Sequence, residues 1–205
     1  MSFLDEVIKL LLSKNPDPRT ELNYTNPFTL LIAVVLSAQA TDKSVNKATQ
    51  NLFNNTSTPQ ELINLGEEYL LKEFKTINYY KTKTKNIISL CEDLINKFNS
   101  KVPADFTSLT SLAGVGRKTA NVVLAVAFNQ PRLAVDTHVA RLAKRLGLTK
   151  NTKPELIEKD ITSKCKKNDI NKLHHLFILH GRYICKSQKP NCTSCILNNI
   201  CPKIF

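Results

Sequence analysis

The sequence predicts an all-α fold. Apolar residues recur three and four apart in one segment after another, helix-start and helix-stop residues bracket those segments, and no stretch alternates apolar with polar residues as a half-buried strand does. At 205 residues the chain is long enough for one large domain or two small ones, each with a real core. An apolar share of 42% against 22% charged excludes general disorder.

Leu4, Val7, Ile8 and Leu11 mark a first helix, which Asn15-Pro16-Asp17-Pro18 ends. Phe28 to Ala38 is apolar nearly all round, as a central buried helix is, and Thr41 can cap the segment after it. Thr58-Pro59-Gln60-Glu61 combines a capping box with proline at the first helical position, and Gly66 stops that helix. Lys83 to Phe98 sets Ile87, Ile88, Leu90, Cys91, Leu94 and Ile95 along one side. After Pro103 come a short helix, a Gly114-Val115-Gly116 turn, and a helix from about Arg117 to Phe128 that Asn129-Gln130-Pro131 breaks. Asp136 caps a helix expected to run to Gly147, and two more are expected over Pro154–Cys165 and Asn171–Ile184. Repeats and low-complexity linkers are absent from the sequence.

Lys and Arg number 29 against 17 Asp and Glu, a net charge of +12. From Arg141 onward 14 basic residues face 4 acidic ones, so most of the excess lies in the last third. A one-sided positive field draws polyanions: nucleic acid first, an anionic membrane surface second, with a merely solubilising surface as the plain alternative. The longest mostly apolar run, Phe28 to Ala38, falls short of the roughly 20 residues that cross a bilayer. The N-terminus lacks a signal-peptide pattern, so the expectation is a cytoplasmic protein with no membrane partner.

Six cysteines in a cytoplasmic chain point to metal or redox chemistry before disulfides. Cys185, Cys192, Cys195 and Cys201 form a C-x6-C-x2-C-x5-C cluster at the C-terminus, where Pro190, Asn191 and Pro202 favour a loop able to wrap one metal centre. Four thiolates suit zinc and a 4Fe–4S cluster alike, and on spacing alone zinc is the commoner choice. Cys91 and Cys165 are expected on apolar helix faces as inert core residues.

Leu112-Ala113-Gly114-Val115-Gly116-Arg117-Lys118 lies between two helices. Glycines at 114 and 116 allow positive φ and a close backbone approach, while Leu112 and Val115 can pin the turn into the core. The turn's N–H groups and the helix N-terminus after it then suit a DNA phosphate. The plain alternative is a tight turn.

Leu112-x-Gly-Val-Gly-Arg-Lys-Thr-Ala-Asn-Val-Val, then Val135-Asp136-Thr137-His138-Val139, then the four-cysteine loop resemble the bacterial endonuclease III family. These are helix-hairpin-helix DNA glycosylases and abasic-site lyases that carry a 4Fe–4S cluster. Leu36-Ser37-Ala38-Gln39-Ala40-Thr41-Asp42 and Leu179-His180-Gly181-Arg182 fit as well, so the resemblance spans nearly the whole chain. It implies two helical lobes with a DNA-binding cleft between them. One is a helical barrel with the hairpin over 21–131; the other is a discontinuous cluster lobe of 1–20 and 132–205. It implies a 4Fe–4S cluster rather than zinc on the four cysteines. The implied reaction removes oxidised or damaged pyrimidines from duplex DNA and cleaves the abasic site by β-elimination through a lysine Schiff base. A monomer acting on double-stranded DNA near the nucleoid follows from the same likeness.

Such chemistry needs a nucleophile at the anomeric carbon and a carboxylate near the developing positive charge. Lys118 and Asp136 match the family's catalytic lysine and aspartate. Lys118 otherwise reads as a phosphate contact; its place in a helix first turn, where the dipole disfavours a cation, favours the neutral amine. Asp136 otherwise reads as a helix cap, a role compatible with catalysis. Gln39 matches the family residue that fills the gap left by an extruded base, and Tyr79 stands where relatives carry an aliphatic wedge. A packed aromatic is the alternative for Tyr79. Gly114, Val115, Gly116 and Arg117 are expected phosphate contacts, and His138 lines the cleft or makes a local hydrogen bond. His174 and His175 read as packing residues.

Ala113 replaces a proline common in the hairpin, and Thr110 an acidic residue of some relatives, so lesion preference is not implied. Two rivals differ in what they leave unexplained. Adenine-removing mismatch glycosylases lack the lysine and carry an extra C-terminal domain. A non-catalytic DNA-binding module leaves the pairing of Lys118 with Asp136 without a purpose.

Overall fold

Several helices begin where the sequence offers a capping side chain. The computed structural model describes residues 2–205. Ser2 and Asp5 exchange hydrogen bonds in a capping box that opens α1 (Phe3–Lys14), and Leu4, Val7, Ile8 and Leu11 are its buried stripe. Asn26 and Thr29 form the same device ahead of α2 (Pro27–Ser37), in which every residue from Phe28 to Leu36 is buried. Thr41 caps α3 (Asp42–Asn55), and a box of Thr58 and Glu61 opens α4 (Pro59–Asn64). Then come α5 (Glu67–Phe74), α6 (Tyr80–Phe98), α7 (Phe106–Ser111) and α8 (Arg117–Phe128). Asp136 caps α9 (Thr137–Arg145), and α10 (Pro154–Thr162), a short 3-10 turn (Lys167–Asp169) and α11 (Ile170–Tyr183) complete the order. Strands are absent among the described residues.

The chain divides into two compact units, one of residues 21–129 and one of 1–20 with 130–205. In the first, α2 packs against α3, α6 and α8, while α4 and α5 lie on α6. A helix buried on all sides needs apolar residues on all sides, and that is why α2 shows so little amphipathic bias. In the second unit α11 packs on α9 and α1, around Val7, Leu142, Leu173 and Phe177. Each such side chain, once buried, stabilises its unit by about 1.5–3 kcal/mol.

Several expectations change. The α5 helix was not anticipated: Gly66, at φ 80°, ends α4 but also starts α5, whose Glu67 and Glu68 suit its positive end. The α6 helix begins at Tyr80 rather than Lys83. The α9 helix ends at Arg145, short of Gly147, because Gly147 takes φ 68° and closes a Schellman motif: Leu148 N–H donates to Ala143 O and Gly147 N–H to Lys144 O. Cys165 is not on a helix face; it follows the end of α10, half-buried against the core of its unit. No helix among the described residues is long and apolar enough to cross a membrane.

Candidate active site and cysteine loop

The hairpin joins α7 to α8. Leu112 and Val115 are buried, and Val115 N–H donates to Leu112 O at 3.1 Å, which ties the turn to the core of its unit. Gly114 takes φ 76°, and a Cβ there would lie 3.1 Å from Asn86 Cβ and 3.4 Å from Val35 Cγ1. Both its conformation and its surroundings require glycine. Gly116 corrects the expectation: φ is −90°, and a Cβ would meet nothing within 4 Å. It is the N-cap of α8 with no side-chain cap hydrogen bond, so its lack of a side chain leaves that helix end open to solvent. Arg117 and Lys118 follow as exposed residues of the first turn, with the Arg117 guanidinium 5.3 Å from the centre of the Phe106 ring.

Gln39 and Tyr79 belong to the same unit. Both are exposed and both adopt left-handed backbone, at φ 55° and 59°. Tyr79 is 67% exposed, so the alternative of a packed aromatic is wrong. The side chain of Asn78, its chain neighbour, donates to Gln39 O at 2.8 Å, which holds the two loops side by side. Thr110 lies on α7 with its hydroxyl donating to Phe106 O at 2.9 Å.

In the other unit Asp136 is the N-cap of α9, its Oδ1 accepting Val139 N–H at 2.8 Å. One turn on, His138 Nδ1 lies 3.2 Å from an Arg141 guanidinium nitrogen. Gly181 of α11 packs on that turn so tightly that a Cβ would fall 2.9 Å from His138 Cβ and 3.2 Å from His138 O. The far end of α9 holds the cysteine loop. Arg141 donates to Gly181 O and Cys185 O; Arg145 donates to Lys186 O, Ser187 O and, at 3.3 Å, Cys185 Sγ.

Cys185, Cys192, Cys195 and Cys201 all line one recess, partly open to solvent, together with Leu142, Leu146 and Leu197. Leu197 N–H donates to Cys195 Sγ at 3.4 Å, and the His180 Nε2 atom lies 3.4 Å from the same sulfur. Burial pushes the His180 imidazole down to about 4. Cys91, by contrast, is fully buried in α6, and burial with Glu92 nearby pushes its thiol up to about 12. His174 is buried in α11, its ring 5.0 Å from that of His175.

Residues 32–167 match the family model of HhH-GPD superfamily base excision DNA repair proteins. Endonuclease III of Rickettsia conorii is 48% identical over 203 residues, which are 99% of this chain and 97% of that protein. The chain belongs to the endonuclease III family. By that membership it is a base-excision DNA repair enzyme, a DNA glycosylase and abasic-site lyase. Endonuclease III of Escherichia coli K12 is 46% identical over 196 residues, 96% of this chain and 93% of that protein. A trapped endonuclease III–DNA covalent intermediate, an estranged-adenine complex, superposes with a TM-score of 0.91 at 43% identity, covering 99% of this chain and 97% of that one. A non-covalent endonuclease III–DNA complex gives 0.92 at 44% identity, covering 98% and 94%.

Three side chains that meet the cysteine loop carry no distinct signal in the sequence. Arg141 and Arg145 read there as charge alone, although their i,i+4 spacing on α9 puts both on the face that meets the loop. His180 sits in the Leu179-His180-Gly181-Arg182 motif, which gives no sign that its ring reaches Cys195, fifteen residues further on.

Proposed function

We propose that this chain removes oxidised or ring-damaged pyrimidines from duplex DNA and then nicks the strand, with Lys118 as the covalent nucleophile for both steps. The observation that carries the reading is an exposed lysine in the first turn of α8, directly after a hairpin whose helix end is open to solvent. The N–H groups of Gly114 and Gly116, with Arg117, take a backbone phosphate at that helix end, while Val115, its N–H committed to Leu112 O, holds the turn in place. Gln39 enters the gap left by the extruded base while Tyr79 stacks on the orphaned partner.

The Lys118 nitrogen attacks C1′ with its lone pair, the C1′–N bond breaks as the base leaves with the electron pair, and the departing base takes up the proton that the alkylated amine sheds. Asp136 supplies negative charge opposite the positive charge growing on the sugar. The nitrogen lone pair then opens the sugar ring, the C1′–O4′ pair leaving on O4′, which takes a proton from water, and a protonated imine joins Lys118 to C1′. Loss of a C2′ proton then expels the 3′ phosphate with its electron pair, and water hydrolyses the imine. His138 lines the same site in this reading.

Cys185, Cys192, Cys195 and Cys201 would hold a 4Fe–4S cluster. All four thiols border one recess, with N–H donors aimed at two of the sulfurs. The kinship with endonuclease III is what favours the cluster over zinc, since four thiolates suit both. Such a cluster would fix the basic loop that it joins to α9. Residues 21–131 then serve as the hairpin lobe and 1–20 with 132–205 as the cluster lobe of a cytoplasmic monomer. Incubation with thymine-glycol and abasic duplexes, scoring strand cleavage, tests the function: cleavage of both is expected, and an intact strand in both would refute it.

A further inference from the structure

The end of α2 is closed in an unusual way. Four successive carbonyls, those of Leu36, Ser37, Ala38 and Gln39, each accept a hydrogen bond, and three of the four bonds come from two side chains in another part of the unit. Lys83 Nζ of α6 donates to Leu36 O at 2.8 Å and to Ala38 O at 2.5 Å; Asn78 Nδ2 donates to Gln39 O; Ala40 N–H donates to Ser37 O. Lys83 is only 7% exposed, and burial pulls its ammonium below the usual lysine value. Burying a cation merely to close a helix is a costly solution, because a glycine just past the helix end would do it with backbone alone.

The sequence forgoes that glycine. Gln39 occupies the left-handed position itself, and Tyr79 occupies a second one as the N-cap of α6, where it makes no side-chain cap hydrogen bond. Each position thus carries a strained, exposed, long side chain where glycine or a short polar residue would be more stable. Such local violations cluster where a side chain is needed for function. Both strained loops converge on the donors of Asn78 and Lys83.

We infer that Lys83 and Asn78 form a brace that presets Gln39 and Tyr79 as a paired probe for the duplex, making Lys83 a positioning residue for base extrusion. The inference rests on the insertion roles given above to Gln39 and Tyr79. Preset side chains enter the stack without first being ordered, and the saving appears in the step that opens the duplex. Cleavage of a sugar that is already baseless and single-stranded needs no such probe.

The test uses the full-length, cluster-loaded protein and a duplex with a tetrahydrofuran abasic analogue opposite 2-aminopurine, whose fluorescence reports stacking of the orphaned base. Gln39→Ala and Tyr79→Ala establish the signal of a lost probe. Lys83→Met, of similar length but unable to donate, and Asn78→Ala, at an exposed site, should each reduce the binding-induced fluorescence change about fivefold or more, the scale of one weakened base–aromatic stack. The ratio of thymine-glycol removal from duplex to cleavage of a single-stranded abasic oligonucleotide should fall by a similar factor. A normal fluorescence change in both Lys83→Met and Asn78→Ala, beside its loss in Gln39→Ala, overturns the brace alone. Equal losses on duplex and single strand also overturn it, since they mark a general folding defect. A normal change in Gln39→Ala and Tyr79→Ala overturns the insertion reading, and the brace with it.

Discussion

Asp136 is a helix cap to which the proposed mechanism adds a chemical role. Its Oδ1 is committed to Val139 N–H, and that bond both starts α9 and fixes the orientation of the carboxyl group. Asn caps about as well as Asp, so Asp136→Asn should keep thermal stability within a few tenths of a kcal/mol. Base removal should nonetheless fall roughly a hundredfold or more, the scale of losing one charge that stabilises a transition state. Normal turnover would leave Asp136 as a cap alone. The hairpin glycines separate in the same manner. Gly114→Ala adds a Cβ against Asn86 at a left-handed φ and should cost about 1–2 kcal/mol by chemical denaturation. Gly116→Ala meets open space and should fold normally; a fall in DNA affinity from it would then report the lost phosphate approach rather than a damaged fold. Sequence alone could not separate these two, because Gly-x-Gly looks the same whichever glycine carries the positive φ.

At the scale of elements, α9 links the two chemical features of its unit. Asp136 starts it, and Arg141 and Arg145 near its end grip the loop that bears the cysteines. Gly181 sets how closely α11 approaches the first turn. Gly181→Ala would place a methyl 2.9 Å from His138 Cβ and 3.2 Å from a backbone oxygen, contacts that no rotamer change can relieve. It should cost about 1–3 kcal/mol and lower the iron content of purified protein, whereas Cys91→Ser, remote in α6, should leave iron intact. Full stability and iron content in Gly181→Ala would contradict this packing account.

Elements with start or stop signals are legible in the sequence: α4 shows a capping box and a terminating glycine, α8 an apolar run between the glycine turn and Asn129-Gln130-Pro131, and α2 an apolar run too continuous for a surface helix. The α5 helix was hidden because one glycine serves two helices, and the buried Lys83 because a lysine on a helix reads by default as solvated. The placement of Gln39 and Tyr79 side by side was beyond sequence reasoning, since it depends on one hydrogen bond across 39 residues.

Over the whole molecule, charge sorts by unit. The unit of 1–20 and 130–205 holds 18 basic and 8 acidic residues; the unit of 21–129 holds 11 and 9. In the proposed reading the strongly cationic unit supplies most of the attraction to phosphate, and the nearly neutral unit supplies the hairpin. Duplex affinity should fall steeply with salt, with log K linear in log salt at a slope of about −0.9 for each phosphate neutralised. Affinity that ignores salt would contradict the charge argument.

Borohydride trapping decides whether Lys118 forms the covalent bond to DNA. Reduction during reaction with an abasic duplex should join protein to DNA permanently, and peptide mapping should place the adduct on Lys118. Lys118→Gln should abolish trapping and strand cleavage while retaining much of the DNA affinity, because the hairpin N–H groups remain. Lys118→Arg should fail too, since a guanidinium stays protonated at any usable pH. Undiminished trapping by Lys118→Gln, or an adduct on another amine, would contradict the account.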